Sequence, residues 1–168
     1  MPAAGARTKR GDNGAMSLQS VRAFFAEHAP DIEIVQTTAS TATVALAAAA
    51  HGVAPAQIAK TLSLRLHGEP ILIVMGGEAR LDNRKFKDRF AAKAKMLDAV
   101  EVEAATGHPV GGVCPFGLPR PLKIYADLSL RAFDVVVPAA GDTHAALRIA
   151  PDRLAALAGA EWIDVAQG

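Results

Sequence analysis

Two apolar runs separated by four residues commit this chain to a β-sheet. Ile58 to Leu66 and Ile71 to Met75 flank His67-Gly68-Glu69-Pro70, a segment rich in turn formers and long enough only to reverse the chain. The second run has no polar residue from Ile71 to Met75, the pattern of a central strand, and Gly76-Gly77 ends it. The first run alternates. Ile58, Lys60, Leu62, Leu64 and Leu66 share one face, and Ala59, Thr61, Ser63 and Arg65 share the other. Lys60 therefore lies on the apolar face. A lysine there either snorkels to water from the strand end or points into a pocket to hold an anion or a polarised oxygen.

Helices and further strands surround this pair. Ser17 is expected to cap a helix carrying Leu18, Val21, Phe24 and Phe25, which Pro30 ends. Ile32 to Gln36 reads as a strand. Thr41 or Thr43 opens an alanine helix from Val44 to Ala50, with Gly52 as its stop. Asp82 caps a helix that turns Phe86 and Phe90 inward and Arg84, Lys85, Lys87, Arg89, Lys93 and Lys95 outward. Val100 to Ala105 leads into a loop. Strands are expected at Leu122–Ala126, Phe133–Val137, Ala145–Ile149 and Trp162–Val165, with a hairpin turn over residues 138–144 and a short helix from Pro151 or Asp152 to Gly159. Strands in runs with helices between them give an α+β class, one domain with a mixed sheet flanked by helices.

The 168 residues suit one domain with a real core, assigned to residues 16–168. Residues 1–15 are small, polar and basic, without the apolar middle of a signal peptide, and read as a disordered tail. No apolar run approaches 18 residues, so no membrane span is expected. The single cysteine, Cys114, excludes an internal disulfide and points to the cytoplasm. No CxxC, HExxH or related metal spacing occurs, and no cofactor is expected. Net charge is +1, so any nucleic-acid contact must come from a local patch. The cations from Arg84 to Lys95 are either that patch, with Lys87, Lys93 and Lys95 reaching nucleic-acid phosphates, or an ordinary solvated face.

The segment Thr106 to Pro119 holds four glycines and three prolines in fourteen residues, yet carries Val110, Val113, Cys114, Phe116 and Leu118. An apolar loop of this kind is packed. It forms either a tight turn into a buried strand or a pocket wall whose backbone N–H groups approach a ligand. Cys114 has no base beside it in sequence and reads as an apolar filler, not a nucleophile. His108 either lines the pocket or faces solvent, and His51 and His67 are expected at the surface.

Ile58-Ala59-Lys60-Thr61-Leu62, Gly76-Gly77-Glu78-Ala79-Arg80-Leu81-Asp82, Gly107 to Gly117 and Gly141-Asp142-Thr143-His144 stand in this order. From Leu18 to Val165 the chain resembles the YbaK/ProX family, free-standing relatives of the editing domain inserted in bacterial prolyl-tRNA synthetases. The resemblance implies a compact α+β fold around a twisted mixed sheet. It also implies cofactor-free hydrolysis, in trans, of tRNA(Pro) or a related tRNA mischarged with a small amino acid such as alanine or cysteine. The implied partners are the mischarged tRNA and an aminoacyl-tRNA synthetase, with the protein a monomer or homodimer. The family's lysine falls on Lys60 and its GxxxP loop on Gly111 to Pro115. A GxxxH-like histidine falls near His144, although only two residues separate it from Gly141 here.

An aminoacyl ester is already activated, so the site need only position water and stabilise an oxyanion, a task for N–H groups at Gly111 and Gly112 beside Lys60. Gly107, His108, Val113, Pro115, Phe116 and His144 are the candidate substrate-binding residues around them. The alternatives are a non-catalytic module that binds aminoacyl-tRNA or a nucleotide, and an esterase for some other small acyl group.

Overall fold

In chain order, the described residues 10–168 of this computed structural model form α1 (Arg10–His28), β1 (Ile34–Gln36), α2 (Val44–His51), β2 (Ile58–Leu66), β3 (Glu69–Gly76), α3 (Asn83–Phe90), α4 (Ala99–Thr106), β4 (Lys123–Asp127), β5 (Val137–Pro138), β6 (Ala145–Leu147), α5 (Pro151–Ala158) and β7 (Glu161–Ile163). The expected hairpin forms: β2 and β3 run antiparallel, with Leu66 opposite Glu69. His67 and Gly68 both take positive φ, 50° and 84°, as a two-residue turn between twisted strands requires. The main sheet has the order β5-β2-β3-β4-β7, parallel everywhere except at the β2–β3 pair. A smaller antiparallel pair, β1–β6, joins it through bridges at Val136–Ile149 and Ala139–Ala146.

β3 is buried on both faces, as its uninterrupted apolar run requires. Leu72 and Val74 pack with Val21 and Phe25 of α1 and Leu154 of α5. Ile71 and Ile73 pack with Phe86 and Phe90 of α3 and with Tyr125. The chain is a mixed-sheet α+β domain. None of its described helices is long and apolar enough to cross a membrane.

Several local expectations need correction. Ser17 does not cap α1, because the helix already runs from Arg10 and Ser17 lies inside it. The tail expected over residues 1–15 lies outside the described residues as far as position 9. The basic helix is shorter than charge counting suggests. Ala91 takes φ 55° as the C-cap of α3, so Lys93 and Lys95 lie in the segment beyond it. Phe133 to Val137 is not a continuous strand; only Val137 and Pro138 pair with β2. In place of a plain lead-in to the loop stands α4, whose first turn is closed by a reciprocal Asp98–Glu101 capping box.

Asp127 ties the far edge together. It is 1 % exposed, and its carboxylate accepts from the Ser129 N–H and the Val165 N–H, both at 2.8 Å. Asp127→Ala would strand two donors in a region closed to water, at a cost of about 3 kcal/mol. Urea denaturation should show that loss, and Asp127→Asn should recover part of it.

Candidate functional site

β2 carries the centre of the site because it is paired along one side and nearly open along the other. A cavity of about 390 Å3 lies over that open side. Its walls come from Thr41 to Val44, the end of β5, the segment Met96 to Ala99, and Val110, Gly111 and Val113 of the Gly/Pro loop. Most of the lining is apolar: Ala42, Ala47, Ile58, Leu97, Val102, Val137 and Ala146 among others. The polar exceptions are Lys60, Thr41, Thr43, Thr61 and Ser63.

Lys60 is half-buried and reaches the turn after β3. Its Nζ donates to the carbonyls of Gly77, at 3.2 Å, and Ala79. Burial holds its pKa below the usual 10.5, with the charge of Arg80 acting in the same direction. An ammonium has three donors, so two carbonyls leave one N–H for a ligand. Gly77 makes this possible. A Cβ there would come within 2.1 Å of the Pro55 carbonyl, so only glycine lets the turn lie close against the start of β2.

Gly111 is held to the opposite wall by the same logic. Its φ is +94°, and an added Cβ would meet Cβ of Ala42 at 2.9 Å. Its N–H has no hydrogen-bond partner among the described residues. Gly112 differs. It does not line the cavity; its N–H donates to the Pro109 carbonyl at 2.9 Å, and its carbonyl accepts from Gly141 N–H. Of the two glycines expected to offer donors, only Gly111 keeps its N–H unpaired, because the turn consumes the Gly112 donor.

The rest of the loop is scaffold. His108 is fully buried and does not line the cavity. Its Nε2–H donates to the Phe116 carbonyl at 2.7 Å, and its Nδ1 accepts from the Ser17 hydroxyl of α1. With one nitrogen donating and the other accepting, the ring is neutral. Phe116 is buried against Phe25, with ring centroids 4.7 Å apart, and Pro115 is buried behind the cavity wall. Gly107 is the exposed C-cap of α4. His144 is an exposed turn residue whose main-chain N–H donates to Asp142 Oδ1 at 2.9 Å and whose ring meets Thr143. Of the expected substrate-binding set, only Val113 lines the cavity; Gly107, His108, Pro115, Phe116 and His144 do not.

Folding also gives Cys114 a neighbouring base that sequence spacing hides: His108 Nε2 is 3.6 Å from Sγ. The pair is inert all the same. Burial pushes the thiol up to about 12, and the imidazole nitrogen is committed to Phe116.

Three parts of the cavity went unrecognised in the sequence. Thr41 and Thr61 line it, and their buried hydroxyls have no partner among the described residues. Ala99 and Val102 come from α4, and the Asp98-x-x-Glu101 spacing was the available signal for that helix. Met96 and Leu97 carry no local signal; they enter because their segment bridges to Leu64 of β2.

His108 makes stability pH-dependent. Burial lowers its folded pKa below the ordinary 6.5, opposed in part by the bond to Phe116. The unfolded chain then binds more protons between those two values. Stability from this group is complete above pH 6.5 and is lost as pH falls toward the folded value. Chemical denaturation at successive pH values should show this slope, and His108→Gln should flatten it.

Residues 38–157 match the family model described as an aminoacyl-tRNA editing domain. The chain is 43 % identical to the uncharacterized protein YwhH of Bacillus subtilis (strain 168), over 89 % of this chain and 97 % of that one. It is 36 % identical to a proline–tRNA ligase of Citrifermentans bemidjiense over 96 residues, 55 % of this chain and 17 % of the ligase. It superposes with a TM-score of 0.83 and 31 % identity on a crystal structure described as a candidate trans-editing enzyme for prolyl-tRNA synthetase, covering 90 % of this chain and 98 % of that one.

Proposed function

The chain belongs to the aminoacyl-tRNA editing domain family, and on that footing we propose that it is a trans-acting deacylase. It hydrolyses the ester of a mischarged tRNA, with tRNA(Pro) carrying a small wrong amino acid such as alanine or cysteine as the favoured substrate. The observation that carries this reading is the meeting of Lys60 and Gly111 on one cavity, each with an N–H uncommitted to the protein.

The chemistry follows from those donors. Water adds to the ester carbonyl carbon, and the carbonyl oxygen gains charge that the Gly111 N–H holds. Collapse of the intermediate breaks the bond to the ribose oxygen, which takes the proton the water gives up. The vicinal ribose hydroxyl serves as a substrate-supplied base. The remaining N–H of Lys60 holds a ribose or phosphate oxygen of the terminal adenosine. The apolar walls favour small side chains, although one methylene changes selectivity only about 10- to 200-fold.

Lys60→Ala should lower deacylation by about 100-fold, since it removes a charged donor without opening the core. The assay is single-turnover hydrolysis against a panel of mischarged tRNAs, with the melting temperature as the control on folding. A wild-type protein that binds these tRNAs and hydrolyses none would instead be a binding module.

For the tRNA body, we propose an approach over the segment from α3 to the cavity rim. Lys85 and Arg89 of α3 are engaged by Asp164 and Glu161. Lys87, Lys93 and Lys95 are exposed and in no ion pair among the described residues. Lys95 directly precedes Met96 of the cavity wall, so the free cations lead to the cavity mouth. Replacing Lys87, Lys93 and Lys95 with glutamine should weaken tRNA binding and flatten its salt dependence by up to about three counterions, leaving the choice of amino acid unchanged. Filter binding across a salt series measures both.

A further inference from the structure

One stretch of main chain in the cavity has no partner in the fold. Residues of a strand send their N–H and C=O alternately to its two neighbours. In β2, Arg65 donates to the Lys95 carbonyl at 2.8 Å and Ser63 accepts from Leu97 at 3.0 Å, so the odd-numbered residues face away from β3. Ala59 is one of them and meets β5 at Pro138. Thr61 is the next. β5 ends opposite Ala59, and the Lys95–Leu97 segment reaches only as far as Ser63. The N–H and C=O of Thr61 therefore open into the cavity, with no backbone partner among the described residues.

A second observation marks this as a place for a polar occupant. Thr41 is 4 % exposed, and its Oγ1 is buried without a partner, as is Oγ1 of Thr61. Buried polar groups are almost always hydrogen-bonded, so these two orphans mark the wall around Thr61 as short of polar partners.

An α-aminoacyl group matches the gap. It carries an amine and a carbonyl on one residue, and one residue opposite an edge residue exchanges two hydrogen bonds with it. We propose that Thr61 receives the aminoacyl group as the missing residue of the sheet edge. The α-ammonium donates to the Thr61 carbonyl, and the Thr61 N–H donates to the ester carbonyl oxygen. The identity of the ester rests on the deacylase reading; the two main-chain contacts do not depend on hydrolysis. Where hydrolysis follows, the Thr61 N–H joins Gly111 in holding the oxygen that becomes charged as water adds. The contacts are blind to the side chain, which leaves amino-acid choice to the cavity walls.

The test compares two ligands that cannot be hydrolysed: 3′-deoxy-3′-(alanylamino)adenosine and the same molecule acetylated on its α-amine. Acetylation removes the charge and most of the donors facing Thr61, and should weaken binding to the wild-type protein by about tenfold or more. Equal binding of the two would overturn the pairing. A protein that distinguishes them but hydrolyses no aminoacyl-tRNA would overturn the deacylase reading and leave the pairing standing. Thr61→Pro supplies the second arm. It removes the cavity-facing N–H without costing a sheet bond, and proline is tolerated at a sheet edge. It should lower kcat for deacylation by about 100-fold, because the N–H bonds the oxygen most strongly once it is charged, and keep the preference for the free amine, because the Thr61 carbonyl remains. Wild-type kcat in a folded Thr61→Pro protein would overturn the role of the N–H.

Discussion

The partial pairing of β2 is the constraint on which the site depends. On its β3 side the strand is bonded from Ala59 to Leu66. On the other it meets β5 at Ile58 and Ala59 and the Lys95–Leu97 segment from Ser63 onward. A closed edge would fill the cavity with backbone, and an entirely open one would leave it without end walls. β5 sets one limit, because its pairing with β2 stops at Ala59 and Pro138. The other limit is where the 95–97 segment departs toward α4.

The remaining walls are held against that edge by close backbone contacts. Gly111 lies against Ala42 and Gly112 against Asp142, at distances that leave no room for a Cβ. Behind them the neutral ring of His108 links the loop to α1 through Ser17 and to its own far end through Phe116. The loop is thus tied to α1 and to itself through buried hydrogen bonds. What it presents to the cavity is mostly apolar, and the Gly111 N–H there has no partner among the described residues. The same burial that fixes His108 keeps Cys114 protonated, although the two side chains lie 3.6 Å apart.

Charge is arranged with a similar division. The cations that face the last strand and C-terminal segment are paired, as Lys85 is with Asp164 and Arg89 with Glu161. Those running toward the cavity mouth are left to water. Counting charges along the helix cannot separate these groups, because the distinction lies in which acidic residues the fold brings near.

The α+β class, the β2–β3 hairpin and its central strand, the inward placement of Phe86 and Phe90, and the place of Lys60 on the apolar face of β2 are legible in the chain. Each of these follows from local periodicity or from a turn of fixed length, which neighbours along the chain suffice to specify. The motif order also sufficed to identify the family. Which residues share the cavity emerged with folding. Within a few residues of one loop it put Gly111 and Val113 on the wall and turned His108, Pro115 and Phe116 into the core. The opening at Thr61 was equally out of reach, since it is set by where β5 and the 95–97 segment stop. These outcomes depend on hydrogen bonds between residues tens of positions apart, as between Ser17 and His108, and such pairings leave no period or spacing in the chain.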